Sequence, residues 1–388
     1  MKKTGIGFAK RRVLLTGGAG FIGSHTAARL AMDGHAVRVL DILDPQIHGP
    51  DAAFPAVLPR GVETIRADIN DSRALAAALD GVDAVGHFAA LTGVGQSLYD
   101  IRSYANVNVT GTAALLEAIF RRGRPYPAFV LASSRAVYGE GAGRCRRHGV
   151  VAPGPRERSH LEAGDLLPRC PCGFRATPVP TRENHSLSPV SMYGWTKQAQ
   201  EEICRQAARV FGLPVMVLRY FNVYGSKQSL INPYTGIVSG FYNRLRAKRP
   251  ISLFEAGRPT RDFVHVSDVA RANVFVLTRS VPMTGTYNIG SGEATSIRGL
   301  AETLASVMSV DAVIEDKGEF RSGDIFSGVA DIRSAEKEWG YAPQVSLKKG
   351  LREFVAWAAG MSAVDHLDKA MEELRRRGLF VSGVKWKK

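Results

Sequence analysis

The chain has 388 residues, of which 45% are hydrophobic, 22% charged and 8% aromatic. That composition belongs to a globular protein of two or three structural units, and it excludes low-complexity disorder, collagen-like repeats and apolar runs of the roughly 18 residues a membrane span needs. The net charge of +15 sits mostly in residues 1–12, 141–187 and 369–388, which carry +5, +4 and +5; the rest is nearly neutral, which points to basic tails and one basic insertion rather than a nucleic-acid groove, and neither nucleic acid nor membrane is expected as a partner.

Residues 1–12 run straight into the apolar segment 13–15 with no signal-peptide core, so the cytoplasm is the expected location. Apolar strands are predicted at 13–16, 37–41, 64–68, 84–89 and 129–133, alternating with helical stretches at 24–32, 72–79 and 97–121. This βαβ rhythm predicts an α/β fold with a doubly wound parallel sheet. Residues 141–187 lose all periodicity in a mixture of glycine, proline, arginine and cysteine, long for a loop and therefore functional or flexible. A strand at 215–220 resumes the sheet. Residues 223–388 mix shorter helices and strands, which reads as a second, smaller unit.

Gly18, Gly20 and Gly23, with Gly17 before them, follow the first strand and open the first helix, the spacing and context of a dinucleotide fingerprint. Asp41 ends the second strand, where a carboxylate binds both ribose hydroxyls and repels a 2′-phosphate, so NAD is expected over NADP. The bland alternative is a structural glycine turn with a turn aspartate. Tyr193 and Lys197 lie four apart on one helical face, and Ser134 stands at the C-terminal end of a parallel strand, the edge where open α/β sheets bind ligands. A lysine ammonium and a cationic nicotinamide would both favour the Tyr193 phenolate, giving a base near neutral pH. Taken singly, the serine and tyrosine read as ordinary structural residues; jointly they read as catalytic.

Cys145 and His148 are separated by two residues, Cys170 and Cys172 by one. They are four candidate zinc ligands, but the second pair departs from the usual two-residue spacing and would need an unusual turn; a metal-free loop is the competing reading. The place of this insertion between Ser134 and Tyr193 suggests a lid over the substrate.

The chain resembles the extended short-chain dehydrogenase/reductase family, specifically its nucleotide-sugar epimerases and dehydratases, from about residue 13 to 357. The resemblance rests on residues 16–23 (TGGAGFIG), 87–90 (HFAA), 108–112 (NVTGT), 133–139 (SSRAVYG), 193–197 (YGWTK), 218–225 (LRYFNVYG), 261–266 (RDFVHV) and 287–290 (YNIG). It implies a Rossmann-type NAD-binding domain at 1–221 carrying the insertion, and a nucleotide-sugar domain at 222–388 whose segment 262–280 packs back on the first. It further implies that Phe21 and Ile22 lie under the pyrophosphate, Asp68 and Ile69 beside the adenine, and Phe88, Ala89, Ala90 and Thr92 along the cofactor, with Asn108, Lys197 and Phe221 completing that shell. The family's diphosphate site maps onto Asn222, Arg261 and Arg321, with Asp324 toward the nucleoside.

The family's 4,6-dehydratases carry an acidic pair directly after the catalytic hydroxyl. Here Arg135 and Ala136 stand there, which fits a 4-epimerase. Thr92 in place of a common lysine, the stretches 93–97 (GVGQS) and 228–236 (QSLINPYTG) and the cysteine-containing insertion look like the dTDP-L-rhamnose 4-epimerase group, whose product is dTDP-6-deoxy-L-talose. A UDP- or GDP-sugar 4-epimerase, a dehydratase or reductase on the same substrate class, and a non-catalytic NAD- or RNA-binding module are the alternatives. Family members commonly dimerise through the Tyr193 helix and its neighbour, so a homodimer is expected.

Overall fold

Apolar runs that alternate between two buried faces pair into one parallel sheet, because helices cover both sides and leave no face for water. In chain order the first fourteen strands are β1 (Arg12–Thr16), β2 (Ala36–Asp41), β3 (Glu63–Arg66), β4 (Ala84–His87), β5 (Ala128–Ser134), β6 (Gly143–Cys145), β7 (Gly149–Val151), β8 (Ala176–Pro178), β9 (Val215–Tyr220), β10 (Asn222–Tyr224), β11 (Ile251–Leu253), β12 (Thr260–Arg261), β13 (Phe263–His265) and β14 (Gly285–Ile289). Seven of them form the central sheet in the order β14-β9-β5-β4-β1-β2-β3. Every neighbouring pair in it is parallel. The computed structural model describes residues 8–54, 58–232, 236–321, 323–361 and 367–386. Parts of the two basic tails and residues 233–235 of the 228–236 stretch lie outside the described residues.

Along each strand, alternate residues enter opposite cores. Leu15, Val39, Val130 and Leu218 face one layer; Leu14, Leu40, Leu131 and Val217 face the other. Each such side chain contributes about 1.5–3 kcal/mol by leaving water. Helices α1 (Phe21–Met32), α2 (Gly111–Arg122), α3 (Met192–Phe211) and α4 (Val266–Leu277) form the layers, with α1 against α4 and α2 against α3. A separate core around Phe241, Tyr242, Leu300, Leu304 and Phe354 supports the smaller unit. Among the described residues no helix is long and apolar enough to cross a membrane.

Three expectations need correction. The helix expected at 97–121 is broken: short helices at Val94–Ser97 and Ile101–Tyr104 pass into a π-helical turn, Ala105–Thr110, before α2. A single extra residue per turn leaves the apolar spacing almost unchanged, so the sequence hides it. The return to the first core reaches beyond 262–280, because β14 is the sheet's seventh strand and Trp339 and Tyr341 also enter that core. Residues 141–187 are no structureless loop: β6 pairs antiparallel with β7 and β8 in a small sheet.

One ion pair is buried at the junction of sheet and helix. Glu201 on α3 and Arg219 on β9 are 1% and 3% exposed, and Arg219 Nη2 donates to Glu201 Oε2 at 2.6 Å while its Nε donates to Oε1 at 2.8 Å. Ser133 Oγ, at the end of β5, donates to the same carboxylate at 2.5 Å, and Arg219 Nη1 donates to Tyr138 Oη at 2.7 Å. Removing one member leaves an uncompensated buried charge, which typically costs about 3–5 kcal/mol. Glu201→Leu is therefore expected to lose about that much stability in reversible denaturant unfolding, and adding Arg219→Met to recover most of it; a single-variant loss below about 1 kcal/mol would refute the assignment.

Candidate active site

The chain leaves β1 and turns at Gly17, where φ is +66° and a Cβ would stand 2.5 Å from the backbone nitrogen of Ala89. Only glycine fits there. α1 then starts behind Gly20 with no acidic residue in its first turn, leaving free N–H groups and the positive end of the helix for an anion. Asp41 borders this loop, its carboxylate accepting from the backbone N–H of Ala19 at 3.0 Å and of Leu43 at 2.9 Å.

A cleft of about 1250 Å³ opens from this loop along the C-terminal edge of the sheet. That exceeds the usual size of a site for one small ligand and suits two. Gly17, Gly20, Phe21, Ile22, Gly23 and Asp41 line one end, followed by Asp68, Ile69, Phe88, Ala89, Ala90, Thr92 and Phe221. These residues fit NAD: a glycine cradle and helix end for the pyrophosphate, a fixed carboxylate for a ribose diol, and an apolar wall for the rings. Asn108 differs from its expected place. It is fully buried behind the wall in the π-helical turn, where Oδ1 accepts from Leu91 N–H at 2.8 Å and Nδ2 donates to Thr196 Oγ1 at 2.9 Å. It positions the lining loop rather than forming it.

Ser134, Tyr193 and Lys197 meet midway along the cleft. Ser134 ends β5 and its Oγ accepts from Ala136 N–H at 3.1 Å. Ser191 caps the start of α3, its Oγ accepting from Gly194 N–H at 3.1 Å, and a Cβ at Gly194 would lie 2.6 Å from the Ala136 carbonyl oxygen. This close approach brings Tyr193 to the end of β5. Lys197 Nζ donates to the Ala132 carbonyl at 2.9 Å, and burial lowers its pKa to about 7. Burial raises the Tyr193 phenol, opposed by a hydrogen bond from Ser134 and by the positive charge of Arg135. Arg135 thus joins Lys197 as a cationic group near the phenol, one that the sequence pattern alone did not single out.

Asn222, Arg261, Arg321 and Asp324 line the far end. Arg261 is fixed by Thr260, Ile325 and Phe326 carbonyls at 2.9–3.4 Å. Asn222 Oδ1 and Arg321 Nε are buried with no hydrogen-bond partner among the described residues, as expected of groups that await a polar ligand. Asp324 accepts from Arg321 Nη2 at 2.6 Å, so it orients that guanidinium within the cleft lining. Arg135 belongs to the same group: it lines the cleft, its pKa falls to about 10 through burial, and Arg261 and Asp324 are its main charged neighbours. Sequence reasoning used Arg135 only as a missing acid. Its place directly after Ser134 was the available signal.

Cys145, His148, Cys170 and Cys172 converge with all ligand atoms within 4.8 Å of one another. None of residues 141–187 lines the cleft, so the insertion is not the expected lid. It backs the wall that carries Arg321 and Asp324. Arg156 Nη2 donates to the Asp324 carbonyl at 2.8 Å, and the same guanidinium pairs with Glu140 and Glu255.

Fold and cleft define a dinucleotide-dependent enzyme of the Rossmann class. The profile of the NAD dependent epimerase/dehydratase family matches residues 13–158 and 171–290, and the chain belongs to that family. The break in the match falls inside the insertion. A dTDP-L-rhamnose 4-epimerase of Burkholderia thailandensis is 40% identical over 353 residues, covering 90% of this chain and 95% of that protein. Two crystal structures share the fold at 27% identity and TM-score 0.73. One is a UDP-glucose 4-epimerase of Thermotoga maritima with UDP-glucose, covering 90% of this chain and 98% of that one. The other is a UDP-glucuronic acid 4-epimerase of Bacillus cereus with UDP-glucuronic acid and NAD, covering 90% and 99%.

The Ser134 hydrogen bond lowers the Tyr193 phenol, so Ser134→Ala raises it further. With the deprotonated phenol as the proposed base, the acid limb of the kcat/KM profile is expected to move to higher pH; a limb that stays in place or moves down would refute this role.

Proposed function

We propose that this chain is an NAD-dependent nucleotide-sugar 4-epimerase that interconverts dTDP-L-rhamnose and dTDP-6-deoxy-L-talose. The observation that carries the reaction is the grouping of Ser134, Tyr193 and Lys197 beside Arg135 and Ala136, neither of which can take up the proton of water elimination. The 40% identity to a dTDP-L-rhamnose 4-epimerase supports the substrate.

Gly17, Gly20, Gly23 and Asp41 would hold the cofactor. Bound NAD supplies reversible two-electron chemistry at the sugar C4. Tyr193 takes the proton of the C4 hydroxyl and returns it to the product oxygen, so no external acid or base is consumed. Ser134 donates to that oxygen and keeps it beside the phenol. Asn222, Arg261 and Arg321 hold the diphosphate, an anion matched by two guanidiniums, while the sugar turns to present its other face.

The named 4-epimerases among the structural relatives act on UDP sugars, which keeps a UDP-sugar 4-epimerase as the second reading. The proposal includes a cytoplasmic homodimer joined through α2 and α3, supported by exposed Trp195, Val210 and Phe211 on α3.

An NMR time course of purified protein without added NAD, against dTDP-L-rhamnose, UDP-galactose and GDP sugars in deuterated water, tests the reading. One C4 epimer free of solvent deuterium is expected. Deuterium at C5, or an accumulating keto sugar, would replace the epimerase with a dehydratase or an oxidising enzyme. Tyr193→Phe is expected to cut kcat by about 100- to 10,000-fold while substrate binding is retained. An unaffected variant would point to a different base.

A further inference from the structure

The insertion carries chemistry that the epimerase reading leaves unused. Its three strands are three residues each, and apart from Cys145 the buried positions in them are Gly143 and Ala176. So small a sheet cannot bury enough apolar surface to hold its own shape. Something else fixes it.

Two turns close around one point. Cys145 ends β6 and its Sγ accepts from Arg147 N–H at 3.4 Å in the turn that leads to His148. In the second turn Gly173 N–H donates to the Cys170 carbonyl at 2.8 Å and Cys170 N–H to the Phe174 carbonyl at 2.9 Å. This tight loop, with Gly173 at φ +86°, is the turn that one-residue spacing demands. Cys145 Sγ and Cys172 Sγ lie 3.7 Å apart without a disulfide, and His148 Nδ1 lies 3.2 Å from Cys170 Sγ. A tetrahedral zinc about 2.3 Å from sulfur and about 2.0 Å from nitrogen sets sulfurs about 3.8 Å apart and nitrogen about 3.5 Å from sulfur. These two edges are close to those values, the other ligand atoms lie within 4.8 Å of one another, and thiolate with imidazole is the donor set zinc prefers.

We propose that Cys145, His148, Cys170 and Cys172 form a structural zinc site that folds the insertion into a brace behind the substrate wall. Four protein ligands close the coordination sphere, so the ion holds structure and does no chemistry. The brace reaches the cleft through Arg156, 2% exposed in its side chain, which joins Glu140, Glu255 and the Asp324 carbonyl. The metal thereby supports the diphosphate end and leaves the NAD end alone.

The test is elemental analysis of full-length protein purified without metal-affinity resin or added metal. About one zinc per chain is expected, and cobalt-substituted protein is expected to show the intense visible bands of tetrahedral thiolate coordination. Cys170→Ser with Cys172→Ser is expected to drop zinc below about 0.1 per chain and, at unchanged NAD content, to raise KM for the nucleotide sugar about tenfold, the size of one lost charge-assisted contact. Protein that carries no zinc and takes up none when Zn²⁺ is added would overturn the site, as would iron in its place. This measurement needs no variant and no turnover, so it stands apart from the fate of the epimerase reading. Zinc-free variant protein with unaltered KM would overturn the brace.

Discussion

The Glu201 carboxylate is the point through which the sheet and helix α3 are fastened. It receives Arg219 from β9 and Ser133 from β5, and it sits on α3 one turn beyond Lys197. Because the pair is dry, it tolerates neither a lost partner nor a shift of register. Arg219 then passes the constraint on to Tyr138 and to the Glu183 carbonyl at the end of the insertion. Ser134 follows Ser133 directly and Tyr193 lies about two helical turns before Glu201, so this connection holds the strand end and the helix that carry them. The small residue at 194 and the Ala136 carbonyl complete the fit from outside.

The two ends of the cleft are built on different principles. The cofactor end is backbone: glycines, a helix start and a carboxylate already held by two N–H groups. The substrate end is guanidinium chemistry held by carbonyls and carboxylates, Arg261 by three carbonyls and Arg321 by Asp324. Asp262, next to Arg261 and fully buried, anchors that strand by accepting from Ser291, Gly292 and Ala330 N–H groups. Backbone recognition resists change of side chains, whereas a lattice of arginines can be retuned one residue at a time. One fold can thus keep its cofactor while its sugar varies.

Much of this was legible in the sequence. The parallel sheet shows because strands covered on both faces become continuous apolar runs. Ser134, Tyr193 and Lys197 show because strand end and helix face fix their mutual positions, which spacing reports. What stayed hidden has physical reasons. The insertion sheet carries almost no apolar periodicity, since its strands are three residues long and bury only Gly143, Cys145 and Ala176. The π-helical turn at Asn108 alters spacing by one residue. Arg135 and Arg156 look like any surface arginine, because burial of a charge is a property of its partners and those lie far away in the chain. The seventh strand was quoted as a motif, YNIG, but its five residues are too few to declare their place in the sheet.

That seventh strand has a consequence for how the molecule comes into being. β14 is the last to join, 65 residues after the end of β9, whose outer edge it covers. Until it docks, β9 presents a row of unpaired N–H and C=O groups on a buried, apolar strand, the pattern that templates pairing between chains. Its Asn288 also accepts from Tyr138 Oη at 2.7 Å and donates to the Thr181 carbonyl at 2.9 Å, which seals both termini of the insertion. A nascent chain released before residue 289 therefore has Ser134, Tyr193 and Lys197 and an open sheet edge. Aggregation competes with folding until that one short segment arrives.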